Sequence, residues 1–235
     1  SFINAQKDKG IRFDRCDKDD KIYIEIYKDY DLACRQTNSV DFADLILLTY
    51  EMLKNNSKIL NYYNERFRNI MVDEFQDTNA LQFELLRLLN GSSGSLYAVG
   101  DDDQAIYGWR GARSKNIKYF TDQFTNVEVF KLEQNYRSTN SILDVANKLI
   151  SNNSQRMGKN LWSDSDSGDP VYVYEAYNDD DETGFIAEKI NELVGLGFKR
   201  SDIAMRYRSN FLSRRLEEEL NSRSIPYKIF GGFRF

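Results

Sequence analysis

Two short apolar runs, each stopping abruptly at carboxylates, constrain this chain more than any other feature. Asn69-Ile70-Met71-Val72 ends at Asp73-Glu74, and Leu96-Tyr97-Ala98-Val99 ends at Gly100-Asp101-Asp102-Asp103. Short apolar runs bounded by polar residues have the length of strands rather than helices. Between them, Thr78 can cap a helix with apolar positions at Leu81, Leu85, Leu86, Leu88 and Leu89, closed by Asn90-Gly91. Strand, helix and strand in so short a span make a βαβ unit, and such a unit requires a parallel pair. Both strands carry acidic groups at their carboxyl ends, the edge where open α/β sheets bind ligands. The expected fold class is therefore α/β.

Elsewhere the periodicity is mostly helical. Residues 1–20 mix charges densely and read as the solvated end of a helical subdomain. Ile22, Ile26 and Tyr30, then Phe42, Leu45, Ile46 and Leu48, have helical spacing. Near residue 134 the pattern restarts. Ser138 can cap a helix with Ile142, Val145, Ala146, Leu149 and Ile150 on one face, and Ser163 to Pro170 reads as a loop. A strand is then expected at Val171–Tyr174, and a helix around Ile186, Ile190, Leu193 and Val194 that stops at Gly195 and Gly197. A strand from Ile203 to Tyr207, a helix from Phe211 to Leu220 and a strand from Tyr227 to Phe230 complete a second α/β unit. The acidic runs Asp164–Asp169 and Asp179–Glu182 read as solvated loops.

Composition removes several classes of chemistry. The 235 residues contain no histidine, which excludes a Ser-His-Asp triad, a Cys-His pair and any His-ligated metal. Cys16 and Cys34 lack the spacing of a zinc site, and a reduced, cytoplasmic chain is expected. No apolar run approaches the ~18 residues of a membrane span, so no membrane partner is expected. Net charge is −5, with 10 basic against 14 acidic residues in 40–133. Any nucleic-acid contact must then be local, through aromatics and a few arginines rather than bulk neutralisation. The sequence opens at Ser1 and stops at Phe235 on a strand-like run, which reads as an excised piece of something longer.

Three polar strings carry possible chemistry. In Asp73-Glu74-Phe75-Gln76-Asp77, adjacent carboxylates at a strand end point different ways. One can hold Mg²⁺ and the other orient a water, or both can simply be solvated. In Gly100 to Ala112, three consecutive aspartates are costly without a cation or solvent nearby. Gln104 can sense a phosphate oxygen without fixed charge, and Tyr107, Trp109 and Arg110 offer a base-stacking platform with a phosphate contact. In Leu132 to Ser138, Arg137 can reach a phosphate and Tyr136 can stack on a purine.

Together, Asp73–Asn79, Gly100–Ala112 and Leu132–Ser138 resemble motifs II, III and IV of superfamily 1A DNA helicases, the UvrD/Rep/PcrA family. The resemblance extends to Asp41–Leu45, Gly158–Trp162, Ile225–Tyr227 and Gly231–Phe235, in the family's order. It implies parts of two RecA-like motor domains, parallel sheets flanked by helices, in a 3′-to-5′ ATP-dependent motor that translocates on single-stranded DNA and unwinds duplexes. By the same resemblance, residues 1–39 are the end of subdomain 1B, 40–133 the later part of motor domain 1A and 134–235 the first part of motor domain 2A. It further implies Mg²⁺ at Asp73, Glu74 as general base, Gln104 and Arg137 on the γ-phosphate, and Tyr136 on the adenine. Phe42, Tyr107, Trp109 and Arg110 fall at DNA contacts. The implied cofactors are ATP and Mg²⁺. The implied partners are single-stranded DNA, single-strand/duplex junctions, and repair or replication proteins. Ala105 stands where the motif commonly has serine.

One departure is large: no Gly-x-x-x-x-Gly-Lys-Thr/Ser occurs in these residues, so the loop that cradles nucleotide phosphates is absent. The chain alone is expected to be catalytically inactive, with a sheet edge left bare. Two other readings use the same residues. One is a module that binds DNA or protein without turnover. The other is a metal-dependent nuclease on Asp73, Glu74 and Asp101–Asp103, which leaves the aromatic–arginine platform and Tyr136-Arg137 unexplained.

Overall fold

A computed structural model describes residues 2–17, 21–108, 111–112, 116–124, 126–154 and 156–230, with only the backbone at 118. The chain forms two compact units, 1–168 and 169–235.

The βαβ unit forms where its sequence predicts. Strand β1 (Asn69–Val72) and strand β2 (Ser95–Ala98) pair in parallel, with Asn69 opposite Ser95 and Val72 opposite Ala98. The Val99 amide donates to the Val72 carbonyl and the Phe75 amide to the Val99 carbonyl, at 2.8 and 2.9 Å. The pairing thus continues past both strands into the turns that follow them. Among the described residues this sheet has two strands, and Met71 and Tyr97 are largely exposed on it.

Helix α5 (Ala80–Asn90) joins the strands. Its cap is Asn79 rather than Thr78: Asn79 accepts from the Gln82 amide, and the Gln82 side chain accepts from the Asn79 amide. The Thr78 hydroxyl instead donates to the Phe75 carbonyl at 2.7 Å, closing the turn after β1. At the other end Gly91 takes a φ of +59°.

Among the described residues, four α-helices precede the sheet: α1 (Phe2–Lys7), α2 (Lys21–Gln36), α3 (Phe42–Asn55) and α4 (Ser57–Arg66). The expectation that residues 1–20 are merely solvated fails at Lys7, whose side chain is fully buried. Its ammonium lies 2.7 Å from both Asp41 and Asp44, the two members of the α3 capping box, and over the Tyr27 and Tyr30 rings. A buried cation between two carboxylates is tolerated because each charge has a partner. In α2 the apolar positions Ile22 and Ile26 face out, while Tyr27 and Asp31 are buried. Asp31 is held by Arg12 at 2.8 Å.

Helix α6 (Asn116–Gln123) packs Phe120 on Phe75, and Phe75 also meets Phe83 of α5. The buried Asn116 amide donates to the Thr78 carbonyl and hydroxyl, pinning α6 to the turn after β1. Helix α7 (Asn140–Ile150) starts after Thr139, not Ser138. It buries Leu143, whereas Ile142, Val145 and Leu149 of the expected core face are exposed.

In 169–235, helices α8 (Asp179–Gly195) and α9 (Ser213–Ser222) form as expected. The run Asp179–Glu182 is no loop. It is the first turn of α8, capped by Asn178, where carboxylates meet the positive end of the helix dipole. The strands expected at 171–174, 203–207 and 227–230 do not form among the described residues. A strand exists only through ladder bonds to a neighbour, and these segments have none among the described residues. Ile203 and Met205 nevertheless keep their period-2 alternation and pack on Ala187, Ile190, Leu216, Leu220 and Ile225, the core of this unit.

Candidate functional site

The site is built at the carboxyl ends of β1 and β2. Asp73 and Glu74 leave β1 into a tight turn. The Glu74 amide donates to the Asp73 carboxylate at 2.9 Å. Glu74 itself takes a left-handed conformation, φ +50° and ψ +43°. For a residue with a Cβ that geometry costs roughly 1–2 kcal/mol. It persists because Phe75, 2% exposed, is locked into the α5–α6 aromatic cluster one residue later.

Gln76 completes the turn and joins it to the second one. It is 1% exposed. Its amide donates to the Glu74 carboxylate at 2.6 Å, and its carbonyl oxygen accepts from the Asp101 amide at 2.9 Å. Gly100 must be glycine for this bridge: a Cβ there would stand 2.7 Å from Gln76 Oε1 and 3.2 Å from the Phe75 nitrogen. Sequence reasoning missed Gln76. Its one signal was a neutral polar residue inside an otherwise acidic turn.

Asp101 opens the second turn as its N-cap. Its carboxylate accepts from the Asp103 amide at 3.0 Å and from the Gln104 side chain at 2.7 Å. Burial by itself would raise this carboxyl. Hydrogen bonds from Lys159 and Gln104, the Lys159 charge and the Asp103 amide outweigh it and hold the group below the usual aspartate range. A continuous polar chain thus runs Glu74, Gln76, Asp101, Gln104. The carboxylates of Asp101, Asp102 and Asp103 lie within 4.8 Å of one another, the spacing of a possible cation site. Lys159 and Arg156 already pair with them.

Farther along, Tyr107 is half-buried and Ile106 exposed; Trp109 and Arg110 lie outside the described residues, as does Gly231–Phe235. Tyr136 is 84% exposed, with its hydroxyl donating to the Gln134 side chain at 2.8 Å. Arg137 is exposed beside it. Gln134, Asn135, Tyr136, Ser163, Asp164 and Ser165 line an open groove of about 300 Å³. Phe42 stands apart, 92% exposed in the first turn of α3. The structure therefore brings Asp73, Glu74 and Gln104 onto one hydrogen-bonded edge. It places Tyr136 at a groove, with the exposed Arg137 next in sequence, and leaves Phe42 on a separate helix.

Among the described residues no helix is long and apolar enough to cross a membrane. The UvrD/REP helicase N-terminal domain matches residues 2–125, and the UvrD-like helicase C-terminal domain matches 130–235. DNA helicase II of Haemophilus influenzae is 48% identical over 238 residues, and that of Escherichia coli is 46% identical over 238 residues. Each covers 100% of this chain. The ATP-dependent DNA helicase PcrA of Leuconostoc citreum is 42% identical over 212 residues, 90% of this chain. The chain spans 33% of the length of the two helicase II relatives and 28% of PcrA. With one domain match spanning both acidic turns and the other covering the segment that follows them, the chain belongs to the UvrD/REP helicase family.

Proposed function

We propose that this chain forms the central part of an ATP-driven 3′-to-5′ DNA helicase with a RecA-like motor, acting in the cytoplasm in DNA repair or replication. In this reading residues 1–39 close subdomain 1B, 40–133 belong to motor domain 1A and 134–235 begin motor domain 2A. The observation that carries it is the polar chain from Glu74 through Gln76 and Asp101 to Gln104, on the edge where two parallel strands end. That chain links the carboxylate that takes a proton to the amide that reads a phosphate.

The residues present fit the catalytic half of a nucleotide site. Asp73 is exposed at the end of β1, with one carboxylate oxygen engaged by the Glu74 amide, and suits the magnesium side. Bound ATP with Mg²⁺ supplies the phosphoanhydride bond and the neutralising charge. Glu74, held by Gln76, accepts the proton of the attacking water. Gln104 and Arg137 donate to γ-phosphate oxygens, and Tyr136 offers an exposed ring to the base. Phe42, Tyr107, Trp109 and Arg110 contact single-stranded DNA. The cradle for the phosphates is not among these residues, so the 235-residue chain should hydrolyse no ATP.

Glu74→Gln, made in the longer helicase, tests this assignment. Turnover should fall roughly 10²–10⁴-fold, the usual worth of a positioned base, with ATP binding retained. Near-normal turnover would reassign Glu74 to holding the turn.

A further inference from the structure

Arg156 and Lys159 lie outside the nucleotide chemistry, yet they carry the counter-charge of the acidic turn. Asp101, Asp102 and Asp103 have side chains only 23%, 15% and 11% exposed, a costly arrangement for three neighbouring carboxylates. The Lys159 ammonium sits among them, bonded to Asp101 and 4.0 and 3.9 Å from Asp102 and Asp103. Arg156 forks onto Asp103 at 3.0 and 2.6 Å, and also donates to the Lys159 carbonyl at 2.6 Å. The Met157 amide donates to Asp102 at 2.7 Å. The place a metal ion would take is filled by the chain's own cation.

The same segment is tied to the other half of the site. The Asn160 amide donates to the Glu133 carboxylate at 3.0 Å and the Trp162 amide to the Glu133 carbonyl at 3.1 Å. The Asn135 amide donates back to the Trp162 carbonyl at 2.7 Å, and Gln134 bridges Trp162 in parallel. We propose that Arg156 and Lys159 are positioning residues, a charged clasp that holds the Gln104 turn in register with the Tyr136-Arg137 segment. Its consequence for turnover rests on the γ-phosphate roles assigned to Gln104 and Arg137. Asp101 is the joint: one carboxylate receives both Lys159 and the Gln104 side chain. Removing the ammonium leaves three repelling carboxylates with Arg156 as their one cationic partner among the described residues, and loosens the turn that carries Gln104.

The test has two arms. In the 235-residue chain, followed by NMR, Lys159→Met should speed amide exchange of Asp103 and Gln104 about tenfold. It should also raise the titration midpoint of the Asp101 carboxyl, which faces Asp102, Asp103, Arg156 and Lys159. Lys159→Arg should recover most of both effects, and Lys148→Met, an exposed lysine on α7, should produce neither. If Lys159→Met does not fold, Lys159→Met with Asp102→Asn lowers the repulsion while still freeing Gln104. Unchanged exchange and midpoint, or equal changes in Lys148→Met, would overturn the clasp. In the longer helicase, Lys159→Met should lower kcat by about tenfold with the KM for ATP within about twofold, again recovered by arginine. Gln104→Ala with normal turnover would overturn the phosphate role of Gln104 and leave the clasp to be judged by exchange.

Discussion

Gln76→Leu separates a bridging role for this side chain from simple core filling. Leucine keeps the bulk of the side chain but removes a donor to Glu74 and an acceptor for the Asp101 amide, bonds of 2.6 and 2.9 Å. The two losses differ in kind. Glu74 is exposed and regains water, so its charge-assisted bond contributes only part of its usual worth. The Asp101 amide faces a side chain that is 1% exposed, and leaving it without an acceptor costs about 1–3 kcal/mol. The two together come to about 2–4 kcal/mol. In a unit of this size that lowers Tm by about 4–16 °C, at 2–4 °C per kcal/mol. Thermal unfolding of the 235-residue chain measures it. Gln76→Glu is the matched control, because it keeps the acceptor for Asp101 but sets a second carboxylate against Glu74. Gln76→Leu should unfold early and free the Asp101 amide to exchange, whereas Gln76→Glu should leave that amide protected at neutral pH. A Gln76→Leu chain melting within about 1 °C of the parent, with the Asp101 amide still protected, would refute the bridge.

Lys7→Met strands two carboxylates, and breaking a buried pair this way costs about 3–5 kcal/mol, read by chemical denaturation. Burial alone would raise Asp41. The bonds from Lys7, the Asp44 amide and Tyr30, with the Lys7 charge, instead hold it below the usual range. A depressed carboxyl stabilises the fold above its ordinary titration range, and that stability is lost as pH falls through the lowered value. The stability–pH curve of Lys7→Met should therefore be flatter on its acid side than that of the parent. Arg137→Ala in the longer helicase should lower kcat for ATP more than it raises KM; an effect confined to KM would remove Arg137 from the transition state. Phe42→Ala and Trp109→Ala should each weaken single-strand binding roughly ten- to a hundredfold, the worth of about 1–3 kcal/mol of stacking. At Phe42, 92% exposed, melting should not change.

The legible parts of this protein are those governed by neighbours in sequence. The unit β1–α5–β2 could be read because a strand's length, a helix's 3.6-residue spacing and a terminal Asn-Gly are local signals. Even there the cap moved by one residue, since Thr78 and Asn79 both have capping side chains and the turn after β1 claimed Thr78. The polar strings on the two strand ends were visible for the same reason. What each of their members holds was not.

Sequence alone determined which residues stand at the carboxyl ends of two parallel strands, and it named the family through them. Tertiary structure decided how those residues are joined. Gln76 reaches Asp101 across 25 positions, and Lys159 reaches it across 58. Lys7 is buried because Asp41 and Asp44, more than 30 positions away, neutralise it. The segments 171–174, 203–207 and 227–230 have the composition of strands yet form none among the described residues. Helix bonds close within one segment, so a helix is written where its own residues stand. A ladder, an ion pair or a buried amide needs a partner supplied from far along the chain, and no local pattern says which one arrives.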